Sequence, residues 1–441
     1  MRITLDKIEE NNFGSSIASN MLRAITVFLA FKCILIEAQP SCNFTEDTKR
    51  DLICTAGSSD YVLVRGLVSS NNRTTRITLR DCNIIDVDFE AFHQMPALEY
   101  LDLSQNKIKN LKLGVLDEFM RLKFLNLSHN ELEGFPLGLF DEKPNLEVLD
   151  LKANNINELE LGIFDTLKKL RHVDLSSNAL LGIDMNPYIF DQSTRIQVLD
   201  FSRNDMSGSK DILLDAFEEL HFLNLDRCEL NKVPKFVTGP NLKTMKHLIL
   251  SSNKIRSIDD TKIFKNLENL EILNLSFNSI ESVTDNIFSP LKKLKMINMN
   301  NNKLKQIPDT LFRSLPRLGN IDMSHNLIEF VPVNAFRNSP IKNLNLADNR
   351  FSFLTDNFCL ELKNSGTGLV KFYFNQNPWQ CACLRDALNE VKSFGIVYNN
   401  VKYTGDVPVC VTNDNSFNCI RQMNENSNFV DLYYNLLQIN N

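Results

Sequence analysis

The chain has 441 residues, of which 43% are hydrophobic, and its formal net charge is −6. The charges are spread without long runs of one sign, which argues against proteins that bind nucleic acids or anionic lipids. By length alone the chain would contain two or three globular domains, but a chain built of repeats escapes that count because its core grows in one dimension.

An apolar run near the N-terminus is the first feature of the chain that indicates its destination. Residues 22–36 read LRAITVFLAFKCILI, and Ala38 follows as a small residue suited to cleavage. These features are typical of a secretory signal peptide. We therefore predict an N-terminal extension and signal peptide over residues 1–38, and an extracellular, secreted mature chain without a membrane span.

The start of the chain leaves two choices open. The first twenty residues are polar, so Met21 would be a more ordinary start than Met1. A signal anchor is the alternative to a cleaved signal, but the run is short for a bilayer span and is broken by Lys32.

Cysteine usage supports an oxidising compartment. The sequence has ten cysteines, and nine remain if Cys33 leaves with the signal peptide. Cys42 and Cys54 flank the start of a repeated region, and we predict that they form one bridge within an N-terminal cap over residues 39–75. Nine is an odd number, so at least one thiol is free or pairs between chains.

Residues 76–376 carry the pattern LxxLxLxxNxL, as in LEYLDLSQNKI at 98–108 and LKFLNLSHNEL at 122–132. Its asparagine slot recurs thirteen times from residue 82 to residue 377, at intervals of 23 to 28 residues. This period and motif define a leucine-rich repeat. We predict an α/β leucine-rich-repeat solenoid, a horseshoe with a parallel concave β-sheet and disulfide-bonded terminal caps.

Each repeat position has a physical role. The alternation in LxL predicts a short strand whose leucines point into a continuous core, because one repeat cannot bury its own apolar face. The asparagine amide would satisfy backbone groups that the turn would otherwise bury unpaired. A phenylalanine follows about ten residues after most asparagine slots, and we predict that these rings form a stacked spine in the convex half of the core. The set comprises Phe92, Phe140, Phe164, Phe190, Phe217, Phe264, Phe288, Phe312, Phe336 and Phe358.

Three cysteines lie outside the predicted caps. Cys82 and Cys228 occupy asparagine slots, where a buried thiol is a small filler with a weak donor. Cys359 occupies no such slot and has no obvious partner.

After the last repeat, residues 377–421 form a predicted cysteine-rich C-terminal cap. Its four cysteines allow three pairings, and metal ligation is a weaker alternative because no histidine lies nearby. They are Cys381, Cys383, Cys410 and Cys419.

Residues 422–441 form a short amphipathic tail. Phe429, Leu432, Leu436 and Ile439 follow a heptad-like spacing, widened by Tyr433 and Leu437. We predict a helix docked on the cap; pairing with a partner helix is the alternative. A dimer could therefore form through the tail or through an unpaired cysteine.

The segment NPWQCACLRDALNEVKSFGIVY at 377–398, followed by PVC and NCIR, resembles the C-terminal cap of extracellular leucine-rich-repeat proteins. With the repeats, it makes the chain similar to insect proteins of this class, namely mosquito leucine-rich immune proteins and Toll-type receptor ectodomains. The resemblance implies the pairs Cys381–Cys410 and Cys383–Cys419. The sequence departs from Toll-type receptors in having no membrane span or signalling domain after the cap, and from the mosquito proteins in having no long coiled coil.

The concave face is the expected recognition surface, since solenoids of this kind use it for binding. Its first outward column is unusually apolar and contains Tyr100, Phe124, Val148, His172, Val198, Phe222, His247, Ile272 and Met296. A second outward column is mostly Asp or Asn, which is ordinary for these repeats. The apolar column predicts a binding site, with packing between neighbouring strands as the alternative.

Glycosylation motifs narrow this site. Asn43, Asn72, Asn126 and Asn274 each begin an N-x-Ser/Thr sequon. Glycans on Asn126 and Asn274 would shield both ends of the concave face and leave a window between them. The partner-binding residues predicted in that window are Val148, His172, Val198, Arg203, Phe222, Arg227 and His247.

The sequence contains no nucleophile elbow, phosphate loop, HExxH motif or calcium loop, so it predicts no enzyme, no metal and no cofactor. Binding of an extracellular protein, immune or cell-surface, is the predicted function, with innate immune recognition favoured. The alternatives are a cell-surface adhesion or developmental-signalling module, a structural matrix component, and a fragment of a Toll-like receptor ectodomain.

Overall fold

The computed structural model describes residues 39–47, 50–403, 409–412 and 418–439. The predicted signal peptide, its cleavage site and the choice of start lie outside these residues. Over the described ranges, no helix has the length and the apolar character needed to cross a bilayer.

The repeats form strands of about three residues each, because only the LxL part of each repeat has alternating character. In β7, for example, Leu125 is fully buried while Phe124 and Asn126 on either side are half-buried. The strands are β1 Ser41–Phe44, β2 Asp51–Thr55, β3 Tyr61–Leu63, β4 Arg76–Thr78, β5 Ile84–Val87, β6 Tyr100–Asp102, β7 Phe124–Asn126, β8 Val148–Asp150, β9 His172–Asp174, β10 Val198–Asp200, β11 Phe222–Asn224, β12 His247–Ile249, β13 Ser257–Ile258, β14 Ile272–Asn274, β15 Ser282–Val283, β16 Met296–Asn298, β17 Asn320–Asp322, β18 Asn343–Asn345 and β19 Lys371–Tyr373.

Fifteen of these strands make one long sheet in the order β1-β2-β4-β6-β7-β8-β9-β10-β11-β12-β14-β16-β17-β18-β19. Only the β1–β2 pair is antiparallel, and each later strand lies parallel to its neighbour and in register with it. Two small parallel pairs, β3–β5 and β13–β15, lie apart from the main sheet. The predicted leucine-rich-repeat solenoid with a parallel sheet is therefore confirmed.

The described α-helices belong to the C-terminal part of the chain, while turns and short 3-10 helices make most of the convex side. The α-helices are α1 Phe358–Asn364, α2 Cys381–Ser393 and α3 Met423–Ile439. The 3-10 helices are Lys235–Val237, Pro240–Thr244, Val333–Phe336 and Asn400–Tyr403.

The asparagine of each slot joins its repeat to the one before it. Asn130 shows the pattern: its Nδ2 donates to the carbonyl of Leu103 one repeat earlier, at 3.0 Å, and to Leu127 and Ser128 in its own turn. Its Oδ1 accepts the amide of Ile108, at 3.1 Å. The buried amide thus satisfies several backbone groups at once, as predicted, and links successive repeats.

Phenylalanine rings fill the convex half of the core. All ten predicted spine residues are at most 2% exposed. Neighbouring rings lie 5.5 Å apart at Phe164–Phe190 and 5.8 Å apart at Phe312–Phe336, and both pairs are stacked. Phe119 is also fully buried and contacts Phe92 edge-on at 5.2 Å, although it lies outside the predicted spacing.

Lys143 is the exception within this core, and sequence reasoning missed it. The residue is fully buried, and its Nζ has no hydrogen-bond partner among the described residues. Burial lowers the pKa of Lys143 to about 8, because a charged amine loses its hydration there.

The free cysteines are buried fillers, as predicted for Cys82 and Cys228. Burial is the main cause that raises the pKa of Cys82 to about 11 and the pKa of Cys228 and Cys359 to about 12. All three side chains are at most 5% exposed. A disulfide to another chain through any of the three would therefore require local opening of the fold.

Disulfides close the described ends of the solenoid. Cys42–Cys54 joins β1 to β2, so the first strand pair is covalently linked. Cys381–Cys410 and Cys383–Cys419 tie α2 to the segments that follow it, in the pairing that the resemblance implies.

Arg421 fastens the end of this C-terminal region. Its Nε donates to the carbonyl of Leu354 at 3.1 Å, and its two terminal nitrogens pair with Asp356 and Asp386 at 3.0 Å each. The side chain is mostly buried, so these pairs are less screened than those at an open surface.

The tail forms a docked helix, and only part of the predicted stripe makes the contact. Phe429 and Tyr433 are buried in α3, and Asn426 exchanges hydrogen bonds with the backbone of Ser352 and Arg350.

The prediction that Leu432 and Leu436 belong to the buried stripe is wrong, since they are 40% and 39% exposed. The docked face contains Phe429, Tyr433 and the half-buried Leu437. These residues are four apart, which is the spacing of one helix face and not a heptad pattern. The side chain of Ile439 lies outside the described residues.

Candidate functional site

The concave sheet presents the predicted apolar column as a continuous, partly exposed surface. Each of its residues stands first in a three-residue strand, so the in-register pairing brings the side chains side by side. Eight of the nine predicted members are half-buried, and Met296 is exposed. Their neighbours on adjoining strands therefore cover each side chain in part and leave the rest available for contact.

Three of the predicted partner-binding residues form the centre of this column. Val198, Phe222 and His247 are directly paired on β10, β11 and β12. The rings of Phe222 and His247 meet edge to face, with centroids 6.0 Å apart. Val148 and His172 continue the column in register on β8 and β9. We call these five residues the concave window.

The N-terminal end of the same column is built differently. Tyr100 and Phe124 are stacked with centroids 4.3 Å apart. The guanidinium of Arg76 lies 3.6 Å above the Tyr100 ring, in cation–π contact. Sequence reasoning missed Arg76, although its place one repeat before Tyr100 was a usable signal. These three side chains cover one another, so packing between neighbouring strands explains much of the apolar character at this end of the column.

A row of aspartates borders the concave window. Asp150, Asp174 and Asp200 are paired on β8, β9 and β10. Each accepts the amide two residues later, as Asp200 does from Ser202 at 2.8 Å. Burial raises the pKa of Asp150 above its usual value, against the lowering effect of the hydrogen bond from the Lys152 amide. These side chains thus stabilise the turns by accepting backbone amides, and they also give the concave window an acidic border.

Arg203 and Arg227 stand beyond this row, immediately before their slot residues. Both have left-handed backbone conformations, with φ of 59° and 54°, and both side chains are exposed. Arg227 Nε lies 3.8 Å from Asp226, and Arg203 forms no ion pair among the described residues. The structure therefore adds two cationic groups to the rim of the concave window.

The left-handed conformation is a property of the whole row before the asparagine slot. All thirteen of its residues have φ between 52° and 59°, and none is a glycine. The tight inward turn imposes this conformation, which the residue type does not reveal. Exposed Phe277 lies in the same row, and sequence reasoning missed it as a surface group.

The sequon asparagines lie at accessible places. Asn43 and Asn72 are exposed, while Asn126 and Asn274 are half-buried on β7 and β14 of the concave sheet. In both concave sequons the Oδ1 accepts the amide two residues later, at 2.9 Å for Asn126 and 3.1 Å for Asn274. The Nδ2 atom that a glycan would use is not needed for this bond.

Among the described residues, no group of three or more His, Cys, Asp or Glu side chains is placed to hold a metal ion. The concave window thus presents an apolar column that is bordered by an acidic row, with two arginines beyond that row. This arrangement suits the recognition of a protein surface.

Comparisons with known proteins agree with this architecture. A family model described as leucine rich repeat matches residues 72–132, 130–180 and 243–304. A search of curated protein sequences gives no significant match.

Several solved structures share the fold. A chain of the Toll–Spatzle complex from Drosophila is 20% identical, with a TM-score of 0.59 over 74% of this chain and 45% of that one. The leucine-rich repeat domain of APL1B is 21% identical, with a TM-score of 0.52 over 77% and 88%. A complex of latrophilin 3, Unc5D and the leucine-rich repeats of FLRT2 gives 23% identity and a TM-score of 0.50 over 69% and 84%. At these identities the similarity establishes the fold, and the chain is a leucine-rich-repeat solenoid.

Proposed function

We propose that this chain is a secreted extracellular protein that binds a protein partner through the concave window and its two rim arginines. One observation carries the proposal. Val198, Phe222 and His247 form an apolar patch on adjoining strands that neighbouring side chains cover only in part. Aromatic groups at the centre of a surface, with arginine nearby, are the residue types that contribute most to protein interfaces.

The extracellular location rests on the cysteines. Three disulfides are formed, and they close the two ends of the described solenoid. Disulfides of this structural kind persist in oxidising compartments and are rare in the cytosol. The predicted signal peptide and sequons fit the same location.

Innate immune recognition is the physiological role that we favour. It rests on the sequence resemblance and on the shared fold with a Toll–Spatzle complex described as a hub in development and innate immunity. A cell-surface adhesion or developmental-signalling module is the alternative, and the fold shared with FLRT2 in its complex with latrophilin 3 and Unc5D supports it. A fragment of a Toll-like receptor ectodomain is a further alternative. Induction after infection would favour the immune role, and patterned tissue expression the adhesion role.

The test is capture of the partner from extracellular fluid with the purified, glycosylated chain, followed by mass spectrometry. The wild type is compared with Phe222→Ala and with Phe124→Ala, which removes the same side chain from the same column outside the concave window. A protein retained by wild type and Phe124→Ala but lost from Phe222→Ala supports the proposal. Equal retention by all three contradicts it.

A further inference from the structure

A second apolar surface lies on the flank of the solenoid, between the asparagine turn and the convex side. It consists of Phe89, Leu113, Leu137 and Leu161, which are 61%, 57%, 58% and 52% exposed. Each stands seven residues after the slot residue of its repeat, in four consecutive repeats. We call these four residues the flank row.

The backbone of each following repeat supports the side chain before it. A methyl group added to Gly114, where φ is +88°, would lie 2.7 Å from Phe89 Cε2. One added to Gly138 would lie 3.5 Å from Leu113 Cδ1. The absence of a side chain at these glycines lets the apolar groups rest on the next repeat and form a continuous surface. Scattered exposed leucines are ordinary, but a contiguous row of them indicates a contact surface.

An acidic groove continues the flank row at its C-terminal end. The groove has a volume of about 480 Å³, and Leu161 and Leu181 line it together with Glu158, Glu160 and Asp184. None of these three carboxylates forms an ion pair within the part of the chain that the structure describes. Their charge therefore remains available to a partner, and it disfavours an anionic membrane as the occupant.

We propose that the flank row and the acidic groove bind an amphipathic helix of a protein partner, at a site distinct from the concave window. Successive row residues are one repeat apart, about 4.8 Å at the spacing of the strands, and a helix rises about 5.4 Å per turn. One apolar side chain per helical turn can therefore contact one row residue. A lysine or arginine beyond the apolar stripe enters the groove and pairs with Glu158, Glu160 or Asp184.

The experiment uses a displayed library of 18-residue helical peptides, with leucine fixed once per turn and the other positions randomised, selected on the intact chain. Peptides recovered by selection are then synthesised with a fluorescent label and titrated by anisotropy. The row is tested with Leu137→Glu plus Leu161→Glu, and the groove with Glu158→Lys plus Glu160→Lys. Val370→Glu is the matched control, since Val370 is 50% exposed and lies at the other end of the sheet.

The inference requires recovered peptides rich in lysine or arginine beside the leucines. Both double variants should weaken binding by about tenfold or more, as loss of a central contact does. Val370→Glu and Phe222→Ala should leave it unchanged. Peptides without basic residues, or equal binding by the row variant, overturn the inference. So does row-dependent binding to phosphatidylcholine vesicles or row-dependent self-association, because the occupant would then be lipid or a second copy. Loss of peptide binding in Phe222→Ala would also overturn it, because the peptide would then bind at the concave window.

Discussion

The thiol of Cys228 donates to the carbonyl of Phe201, one repeat earlier, at 3.3 Å. In the repeat before it, the amide of Asn204 makes the equivalent bond to Leu175 at 2.9 Å. The link between repeats thus depends on a short donor at this slot more than on asparagine itself. Cys82 repeats the relationship at the N-terminal end, where its thiol donates to the carbonyl of Cys54 at 3.5 Å.

Substitutions of Cys228 distinguish the contribution of the thiol's hydrogen bond from that of its packing. Cys228→Ala should lower the free energy of unfolding by about 1–2 kcal/mol, since buried carbonyls lose a donor and a small void remains. Cys228→Asn should stay close to wild type, because the amide restores the donor used in neighbouring repeats. Urea unfolding followed by circular dichroism measures both. Equal stability of the alanine and wild-type chains would show that the hydrogen bond from the thiol contributes nothing to stability.

Lys143 should make the protein less stable at neutral pH than an apolar residue at the same position would. The pKa of Lys143 is about 8 in the folded state, against 10.5 for an ordinary lysine. The unfolded chain therefore binds more protons between these values, so the contribution of Lys143 to stability rises with pH from about 8 to about 10.5. Below that range the folded protein carries a buried charge, and its stability is lower.

Lys143→Met is the direct test of this burial. The variant should be more stable than wild type at pH 7 by about 1–3 kcal/mol, allowing for partial solvation of the amine. The difference should shrink as the pH is raised toward 10.5, because wild-type Lys143 then becomes neutral. Comparing the two chains at each pH cancels the titration of all other groups. A variant that is less stable than wild type at pH 7 would refute the assignment.

The C-terminal disulfides should dominate the stability of that end of the solenoid. Cys381→Ser combined with Cys410→Ser should cost about 2–5 kcal/mol, the usual range for a native bridge. The Cys383–Cys419 bridge remains in that variant and serves as its internal control in peptide mapping without reduction. A stability equal to that of wild type would mean that the first bridge is dispensable for covering the core.

The two concave sequons should carry glycans in protein secreted from eukaryotic cells. Asn126 and Asn274 make their turn bonds through Oδ1, so a glycan on Nδ2 leaves those bonds intact. Enzymatic removal of N-glycans in water labelled with heavy oxygen converts each modified asparagine to a labelled aspartate, which mass spectrometry identifies. Unmodified Asn126 and Asn274 would remove the reason for confining the partner site to the window between them.

The sequence predicted the parts of the fold that a fixed period controls. Leu125 is buried and Phe124 half-buried because strand alternation leaves no other choice, and Asn130 bonds as its slot requires. The concave placement of Phe222 beside His247 followed from the same period. These positions are predictable because many repeats impose one geometry on them.

Other features depend on tertiary context that no periodic pattern carries. Lys143 stands where apolar residues fill the core of most other repeats, and its type suggests a surface position. The docked face of α3 could not be chosen, since Phe429 and Leu432 are equally apolar and only contact with the last repeats separates them. The flank row was missed because Leu113 resembles one more core leucine, and its exposure depends on the glycine turn beside it.

The most direct test of the concave binding site measures affinity and stability together on one set of variants. Phe222→Ala should weaken binding to the captured partner by about 2 kcal/mol or more, with a much smaller change in unfolding free energy than a core truncation causes. Leu223→Ala, the buried neighbour on β11, should destabilise the fold by about 2–5 kcal/mol and marks the response of a core residue. Phe124→Ala should keep full affinity. The contradicting result is that Phe222→Ala keeps its affinity but loses as much stability as Leu223→Ala. The apolar column would then be part of the packing between strands and not a binding site.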